Sequence, residues 1–372
     1  MLSNRFDPRN GAALSSENGC DGTPAPRRPT ISDVARAAGV SPSTASVVFS
    51  GKAKVSDATR DRVLAAASDL GYAGPDPLAA SLRTGRSGIV AVVLEGALRR
   101  TFLDPVTIAT MDGLTDGLAS AGADVLLLRD EPHKPGGAAL TTAPIDAAVL
   151  LGCSTATRES LDIVRARRLP LVVIEGDAGD AVPQITLDNA EAAAGIARHV
   201  RELGHREVAV VTLPLDVGRR RGPVSPERLA RATVAPAIQR LAGIRGVFPE
   251  ARVLSAAASS IDEGVIAAGT LLDADPRPTA ILAQSDMLAA GVIRAAEDRG
   301  LRVPEDLSVT GFDGVRVDGL GAHMLTTSVQ PATEKGRAAG AQIAAMLAGQ
   351  AGESVHFTCR FRAGSTTAPA PR

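Results

Sequence analysis

From Gly88 to Thr310 one pattern recurs: an apolar run of four to six residues, then a stretch whose apolar residues fall at helical spacing. The runs are Ile89–Leu94, Asp124–Leu128, Ala147–Leu151, Pro170–Ile174, Val208–Thr212, Ala251–Ser255, Ala280–Ala283 and Leu307–Thr310. The helical stretches are Asp104–Ala121, Arg158–Arg168, Asn189–Leu203, Pro226–Leu241, Asp262–Leu272, Met287–Arg299 and, beyond the last run, Gly336–Ala348. A strand with one wet face alternates apolar and polar residues. These runs are continuous, which predicts burial on both faces and therefore parallel sheets covered by helices, the α/β class. Six or more such units over this length predict two doubly wound lobes. Ligands of such sheets bind beyond the C-terminal strand ends, so paired lobes place the site in a cleft between them.

The chain before Gly88 follows other rules. Residues 29–72 read as three short helices. Ile31, Val34, Ala35 and Ala38 share one face of the first, with Thr30 and Ser32 both candidate N-caps. Gly39 permits a tight turn, and Ser41-Pro42 starts a second helix of about Pro42–Ser50, with a capping hydroxyl before a proline at the first helical position. Ser56 caps a third helix that ends near Gly71. Helix, glycine turn, capped helix is the layout of a helix-turn-helix, whose second helix enters the DNA major groove. Ser41, Pro42, Ser43, Thr44 and Ser46 sit at the start of that helix, where the dipole favours phosphate. The alternative is a small three-helix bundle that caps something else. Charge favours DNA: Arg27–Arg86 carries nine Lys/Arg against five Asp/Glu, in a chain whose overall net charge is −1.

Residues 1–28 are rich in Gly, Ser, Asn, Asp and Pro without apolar periodicity, which predicts a disordered tail. Arg27-Arg28 at its end fits either a phosphate contact or solvated linker charge. Residues 73–87 contain Gly74-Pro75-Asp76-Pro77 and one short helical stretch, Leu78–Arg83, and predict a linker. No apolar run is long enough to span a bilayer, and Met1–Arg28 lacks the apolar core of a signal peptide. Cys20, Cys153 and Cys359 are odd in number and far apart, which fits neither a disulfide framework nor a zinc site and predicts a reducing, cytoplasmic location.

Enzyme motifs are missing. There is no G-x-G-x-x-G after the first run, no G-x-x-x-x-G-K-[ST] loop and no G-x-S-x-G elbow. Cys153 follows a strand, but no base is paired with it in sequence. His199 and His205 are six apart and do not share a helix face. The expectation is a binding protein, not an enzyme, with no cofactor and no metal.

Residues 30–41 (TISDVARAAGVS), 43–46 (STAS), 55–60 (VSDATR) and 70–72 (LGY) resemble the headpiece of the LacI/GalR (lactose-repressor/galactose-repressor) family. Further matches follow in order: Gly204-His205-Arg206, Ser285–Gly291, Val303–Asp306, Gly311-Phe312-Asp313 and Leu325–Pro331. The resemblance spans residues 30 to about 366 and implies a core similar to periplasmic sugar-binding proteins. It divides the chain into a tail (1–28), a helix-turn-helix domain (29–72), a hinge linker (73–87) and a two-lobed effector-binding and dimerisation core (88–372).

The resemblance also implies roles. Thr30 and the start of the second helix contact DNA. Val47 stands where the family commonly has a base-reading arginine; valine cannot donate hydrogen bonds to guanine but can meet a thymine methyl. The linker corresponds to a hinge helix that wedges a leucine into the minor groove, here Leu82 with Ala79 beside it, one residue further from Tyr72 than in well-known members. In the cleft, an arginine followed by Leu-Ala, and usually by glycine, clamps the effector; Arg228-Leu229-Ala230 matches, with Arg231 at the glycine position. Asp313 is its matching acceptor, Ser285 and Gln330 face the ligand, and Phe102 and Phe312 offer ring faces. Asp286 caps the helix that begins at Met287. The partners expected are double-stranded operator DNA, a sugar-like or nucleoside-like small-molecule effector and a second copy of the chain, with no membrane. No leucine heptad follows Thr367, so no C-terminal coiled coil is expected. The function implied is a regulator, a repressor, whose operator affinity an effector controls. The rival readings are a solute-binding protein of a transporter and a sugar-processing enzyme with a fused DNA-binding module.

Overall fold

A computed structural model describes residues 27–50, 54–74, 81, 85–95, 98–130, 137–152 and 155–371. Ala79, Leu82, Cys20, Cys153 and most of the expected N-terminal tail lie outside them. The chain divides into two compact units, Met1–Arg83 and Thr84–Arg372.

The first unit holds three helices: α1 (Ile31–Ala38), α2 (Pro42–Ser50) and α3 (Asp57–Asp69). Thr30, not Ser32, caps α1. Its hydroxyl accepts from the Asp33 amide while the Asp33 carboxylate accepts from the Thr30 amide, a capping box. The Thr30 hydroxyl and amide also hold the Asp33 carboxyl below its ordinary range. Gly39 turns the chain at φ 63°, and Ser41 Oγ accepts from the Thr44 amide at 3.1 Å to start α2. Val34, Ala35, Ala38, Ala45, Val63, Ala66 and Ala67 form the core. Tyr72 closes it edge-on against Phe49, with ring centroids 5.3 Å apart.

The second unit opens with β1 (Ile89–Glu95), a single turn α4 (Leu98–Thr101), and α5 (Pro105–Leu118). It continues through β2 (Asp124–Asp130), α6 (Gly137–Thr142), β3 (Ala147–Leu151), α7 (Thr155–Ala166), β4 (Leu171–Ile174) and β5 (Gln184–Leu187). The second lobe follows as α8 (Asn189–Glu202), β6 (Val208–Thr212), β7 (Gly222–Pro223), α9 (Pro226–Leu229), α10 (Ala235–Val247), β8 (Arg252–Ser255), α11 (Ile261–Leu272), β9 (Ala280–Ala283), α12 (Asp286–Glu297) and β10 (Ser308–Thr310). The last elements are β11 (Thr327–Val329), α13 (Ala332–Leu347), β12 (Val355–Phe357) and β13 (Arg360–Arg362).

Three sheets result: one large sheet per lobe and a two-stranded antiparallel sheet of β11 and β13. The first has the order β12-β5-β4-β3-β1-β2 and is parallel throughout. The second has the order β10-β9-β6-β8-β7, parallel except for the short β7 edge. Apolar side chains pack on both faces of each large sheet, as the continuous runs require. The chain passes between lobes three times: at Asp188–Asn189, at Gln330–Pro331, and between β12 and β13. The first lobe is therefore completed by α13 and β12, long after its other elements.

Two expectations are corrected. The helix expected over Pro226–Leu241 is broken into α9 and α10. Pro236 cannot donate to Ala232, and its ring would clash with that carbonyl, so the helix restarts with the proline in its first turn. The cap of α12 is Ser285, whose Oγ accepts from the Leu288 amide at 3.2 Å; Asp286 is already helical and fully buried. The strands β5, β7, β11, β12 and β13 lack a continuous apolar run and are not evident from sequence.

Candidate functional site

Two surfaces carry functional chemistry, one in each unit. In the first, α2 contains no charged residue. Ser41, Pro42 and Ser43 are exposed, and Thr44, Ser46 and Val47 are half-buried. Ser41 Oγ lies 2.8 Å from both Ser43 Oγ and Thr44 Oγ1, so the first turn presents a linked set of hydroxyls. Val48 and Phe49 turn into the core, whereas Val47 stands outside it. The cations are on the flanks: Arg27, Arg28, Arg36, Lys54, Arg60 and Arg62 are all exposed. The start of α2 is thus an uncharged, hydroxyl-rich edge bordered by exposed cations.

In the second unit, a cavity of about 240 Å³ opens between the lobes. Leu94 and Leu151 form its floor at the C-terminal ends of β1 and β3, and Thr101, Leu103, Asp104 and Thr107 its first-lobe wall. Arg219, Ala258, Ser259 and Ser260 face them from the second lobe. Asp104 also caps α5, accepting from the Val106 amide at 3.2 Å and from Thr107 Oγ1 at 2.8 Å. Arg219 adopts φ 48°, a left-handed conformation that is strained for a side chain other than glycine.

Six other side chains, buried or nearly buried and not among the residues that line the cavity, close a hydrogen-bonded ring. Arg240 Nε donates to Asn189 Oδ1 at 2.8 Å, and Asn189 Nδ2 donates to Glu175 Oε1 at 2.9 Å. Lys335 Nζ donates to both Glu175 Oε2 and Gln330 Oε1. Gln330 Nε2 donates to Asp313 Oδ1 at 2.6 Å, and Arg240 completes the circuit with a 3.1 Å ion pair to the same oxygen. The guanidinium also lies 3.6 Å above the centre of the Phe312 ring. The two acids differ. Burial pushes the Asp313 carboxyl up to about 8, against the pull of Arg240. Burial also works to raise Glu175, but Lys335 and Arg240 outweigh it and hold that carboxyl below the ordinary range. The charge of Asp104, on the cavity wall, also acts to raise Asp313.

The expected site residues divide accordingly. Asp313 and Gln330 belong to the ring. Phe312 is 1% exposed and covered by Arg240, so its ring is no platform for a ligand. Ser285 is buried behind the cavity and receives a 2.8 Å hydrogen bond from Ser259. Phe102 is exposed between the wall residues Thr101 and Leu103. Arg228 is not the partner of Asp313. Its guanidinium donates to the carbonyls of Gly222 at 2.9 Å, Pro223 at 3.0 Å and Arg220, fastening its own loop.

The arginine opposite Asp313 is Arg240, and sequence held the signal for it. A second Arg-Leu-Ala occupies 240–242, and it is followed by Gly243. That glycine is needed because a Cβ there would lie 2.0 Å from the Ala190 carbonyl oxygen, where α10 crosses α8. Arg231, after the first copy, could not satisfy that packing. Asn189, Glu175 and Lys335 leave no comparable motif. Asp286 has a structural part: its carboxylate accepts from Thr327 Oγ1 at 2.6 Å and from the Val315 amide at 2.9 Å, and burial pushes it up to about 6. Cys359 is half-buried, with its thiol pushed up by burial, and His205 donates from Nε2 to the Ala368 carbonyl at 3.0 Å and pairs through Nδ1 with Thr279 Oγ1 at 2.9 Å. Neither has a catalytic arrangement around it.

Residues 30–74 match the sequence profile of bacterial regulatory proteins of the lacI family, and residues 197–367 match that of a periplasmic binding protein-like domain. The HTH-type transcriptional regulator Rv3575c of Mycobacterium tuberculosis is 34% identical, over 86% of this chain and 91% of its own. A crystal structure of a LacI-family transcriptional regulator from Corynebacterium glutamicum superposes with a TM-score of 0.68 at 28% identity, covering 92% of this chain and 100% of that one. The lac repressor dimer bound to operator and the anti-inducer ONPF shares the fold, with a TM-score of 0.73 at 22% identity and coverage of 92% and 100%.

Proposed function

Because the chain belongs to the LacI family of DNA-binding transcriptional regulators, we propose that it is a cytoplasmic repressor whose hold on operator DNA is set by a small polar effector bound between the two lobes. The observations that carry this reading are a cavity between the lobes walled by Asp104, Arg219 and hydroxyls, and the buried Arg240–Asp313 pair, whose acid feels the charge of Asp104. A planar guanidinium and a carboxylate are suited to gripping vicinal hydroxyls, and no aromatic side chain is among the described residues that line the cavity. That combination fits a sugar or the ribose of a nucleoside better than a flat apolar ligand. Two headpieces of a homodimer then read two half-sites, and an effector shifts operator affinity by its differential affinity for the open and closed lobes.

The test has two arms on the full chain. DNA upstream of the protein's own gene is expected to be retarded in a gel at low salt. D-ribose, cellobiose and cytidine are then compared by thermal shift. At least one is expected to raise the melting temperature, to lose that effect in Asp313→Ala, and to change the gel shift. A stabilising compound whose effect survives Asp313→Ala at full size would remove the pair from ligand binding.

On the DNA side we assign contacts to Thr30, Ser41, Pro42, Ser43, Thr44, Ser46 and Val47. Phosphate contact comes from the caps and the flanking arginines, and base contact from the outer face of α2. Val47, lacking a donor, favours a thymine methyl. Val47→Arg is expected to move the preference at one position per half-site from thymine to guanine in a selection from randomised operators. An unaltered preference would take Val47 out of base readout.

A further inference from the structure

The ring contains more than an effector clamp requires. Arg240 and Asp313 suffice to grip hydroxyls, yet the ring continues through Gln330 and Lys335 to Glu175 and back through Asn189. Its members come from both lobes and from two of the three crossovers. Glu175 ends β4 of the first lobe, and Lys335 lies on α13, which packs on that same lobe. Asp313 follows β10, and Arg240 lies on α10 of the second lobe. Asn189 and Gln330 stand on the connecting segments themselves.

Two features show that the ring is held against opposing costs. Lys335 is 1% exposed on a helix whose neighbours Gly336 and Gly340 make direct backbone contact with α5. An apolar side chain at 335 would fill the same space without the desolvation penalty of a buried ammonium, so the charge serves something other than packing. Both acids of the ring also sit at positive φ, Glu175 at 51° and Asp313 at 114°. Non-glycine residues hold such conformations only where their surroundings over-determine them.

We propose that Lys335 and Glu175 are positioning residues that hold Gln330 and Asn189, and through them the Asp313–Arg240 pair, so that the lobes cannot separate without opening the ring. Lys335 is the tie on the first-lobe side, because its ammonium is shared between Glu175 and the crossover residue Gln330. A ligand that draws Asp313 or Arg240 away from these partners loosens both crossovers together, which converts occupancy of the cleft into a change of lobe spacing. That consequence rests on the cleft reading above; the tie itself does not.

The experiment measures lobe spacing directly, without a ligand. In the full chain with Cys20, Cys153 and Cys359 replaced by serine, spin labels are placed at Phe102→Cys and Val217→Cys. Both positions are exposed, Phe102 between the wall residues Thr101 and Leu103 and Val217 two residues before the opposite wall residue Arg219. Electron–electron resonance then gives the label-to-label distance distribution. Lys335→Met and Glu175→Gln are each expected to lengthen and broaden it. The double variant is expected to add nothing to the larger single effect, because one break already opens the ring. Parent-like distributions in both single variants, or additive effects in the double, would overturn the proposal. If Lys335→Met alone does not fold, the double variant carries the test, since it leaves no unpaired charge: a parent-like distribution in it overturns the proposal. Titrating the labelled parent with D-ribose, cellobiose and cytidine separates the two readings. No response there bears on the effector assignment and leaves the ring result standing.

Discussion

Replacing Arg240 with methionine is expected to destabilise the core unit by about 3–5 kcal/mol, the range for removing one partner of a buried ion pair. Asp313 would lose its counter-ion, Asn189 a donor, the Gln284 carbonyl a 2.6 Å hydrogen bond and Phe312 the cation on its face. The loss depends on pH with a definite sign. A carboxyl raised in the folded state binds a proton more readily there than in the unfolded chain, so its penalty grows as pH rises from the unfolded value near 4 through the folded value. The Asp313 carboxyl already stands at about 8 with Arg240 in place, and removing the cation raises it further. Parent and variant lose this stability in parallel up to the parent's folded value, so the deficit of Arg240→Met grows only above about 8 and is larger near pH 9.5 than near pH 7. Urea unfolding at the two pH values measures it, and an equal deficit at both would show that the pair is not ionised. Arg240→Lys keeps the charge but not the planar fork or the stacking, and falls between the two.

Gly336→Ala is the second large effect. A Cβ at Gly336 would stand 1.9 Å from the Thr110 carbonyl oxygen, and one at Gly113 the same distance from the Thr333 oxygen. The helices α5 and α13 thus touch backbone to backbone, and neither side has a flexible group that can move. Overpacking of this kind costs about 1–3 kcal/mol and sometimes more; Gly336→Ala belongs at the upper end. Gly195→Ala is the matched control. Its Cβ would meet only the Arg198 side chain, at 3.7 Å, so the better helix propensity of alanine is expected to stabilise by roughly 0.5–1 kcal/mol. Opposite signs in thermal or urea unfolding confirm the distinction, and equal effects would reject the close-contact explanation.

The elements that sequence revealed are those that local chemistry dictates. Continuous apolar runs marked β1, β3, β6 and β9, because a parallel strand buried on both faces needs no polar alternation. Thr30, Gly39 and Ser41 marked the headpiece turns through capping and positive φ. The strands β11, β12 and β13 were not legible, because each is three residues long and none is a continuous apolar run: β11 and β13 pair only with each other, and β12 and β13 carry half-exposed or exposed residues such as Val355, Phe357, Arg360 and Arg362. Asp313 and Gln330 were legible in short motifs. Arg240 was readable in principle, by asking which of two Arg-Leu-Ala copies is followed by the glycine that helix packing demands. Lys335 and Glu175 were not. Their meaning arises only when residues 160 positions apart meet across a crossover.

The late arrival of α13 and β12 bears on how the chain is made. β12 supplies an edge of the first sheet, and α13 covers α5 along glycine contacts. On the ribosome, the apolar face prepared by Leu114 and Leu118 waits uncovered until Ala339 and Ile343 emerge. Most of the second lobe, from Asn189 to Thr310, is contiguous and is made during that interval, although Thr366 and Ala368 later bond back onto Val309 and Ser308. The lobe that begins first thus waits for most of the second before it is covered, and nascent chains truncated before residue 332 leave its sheet half-covered, a natural surface for chaperones to hold.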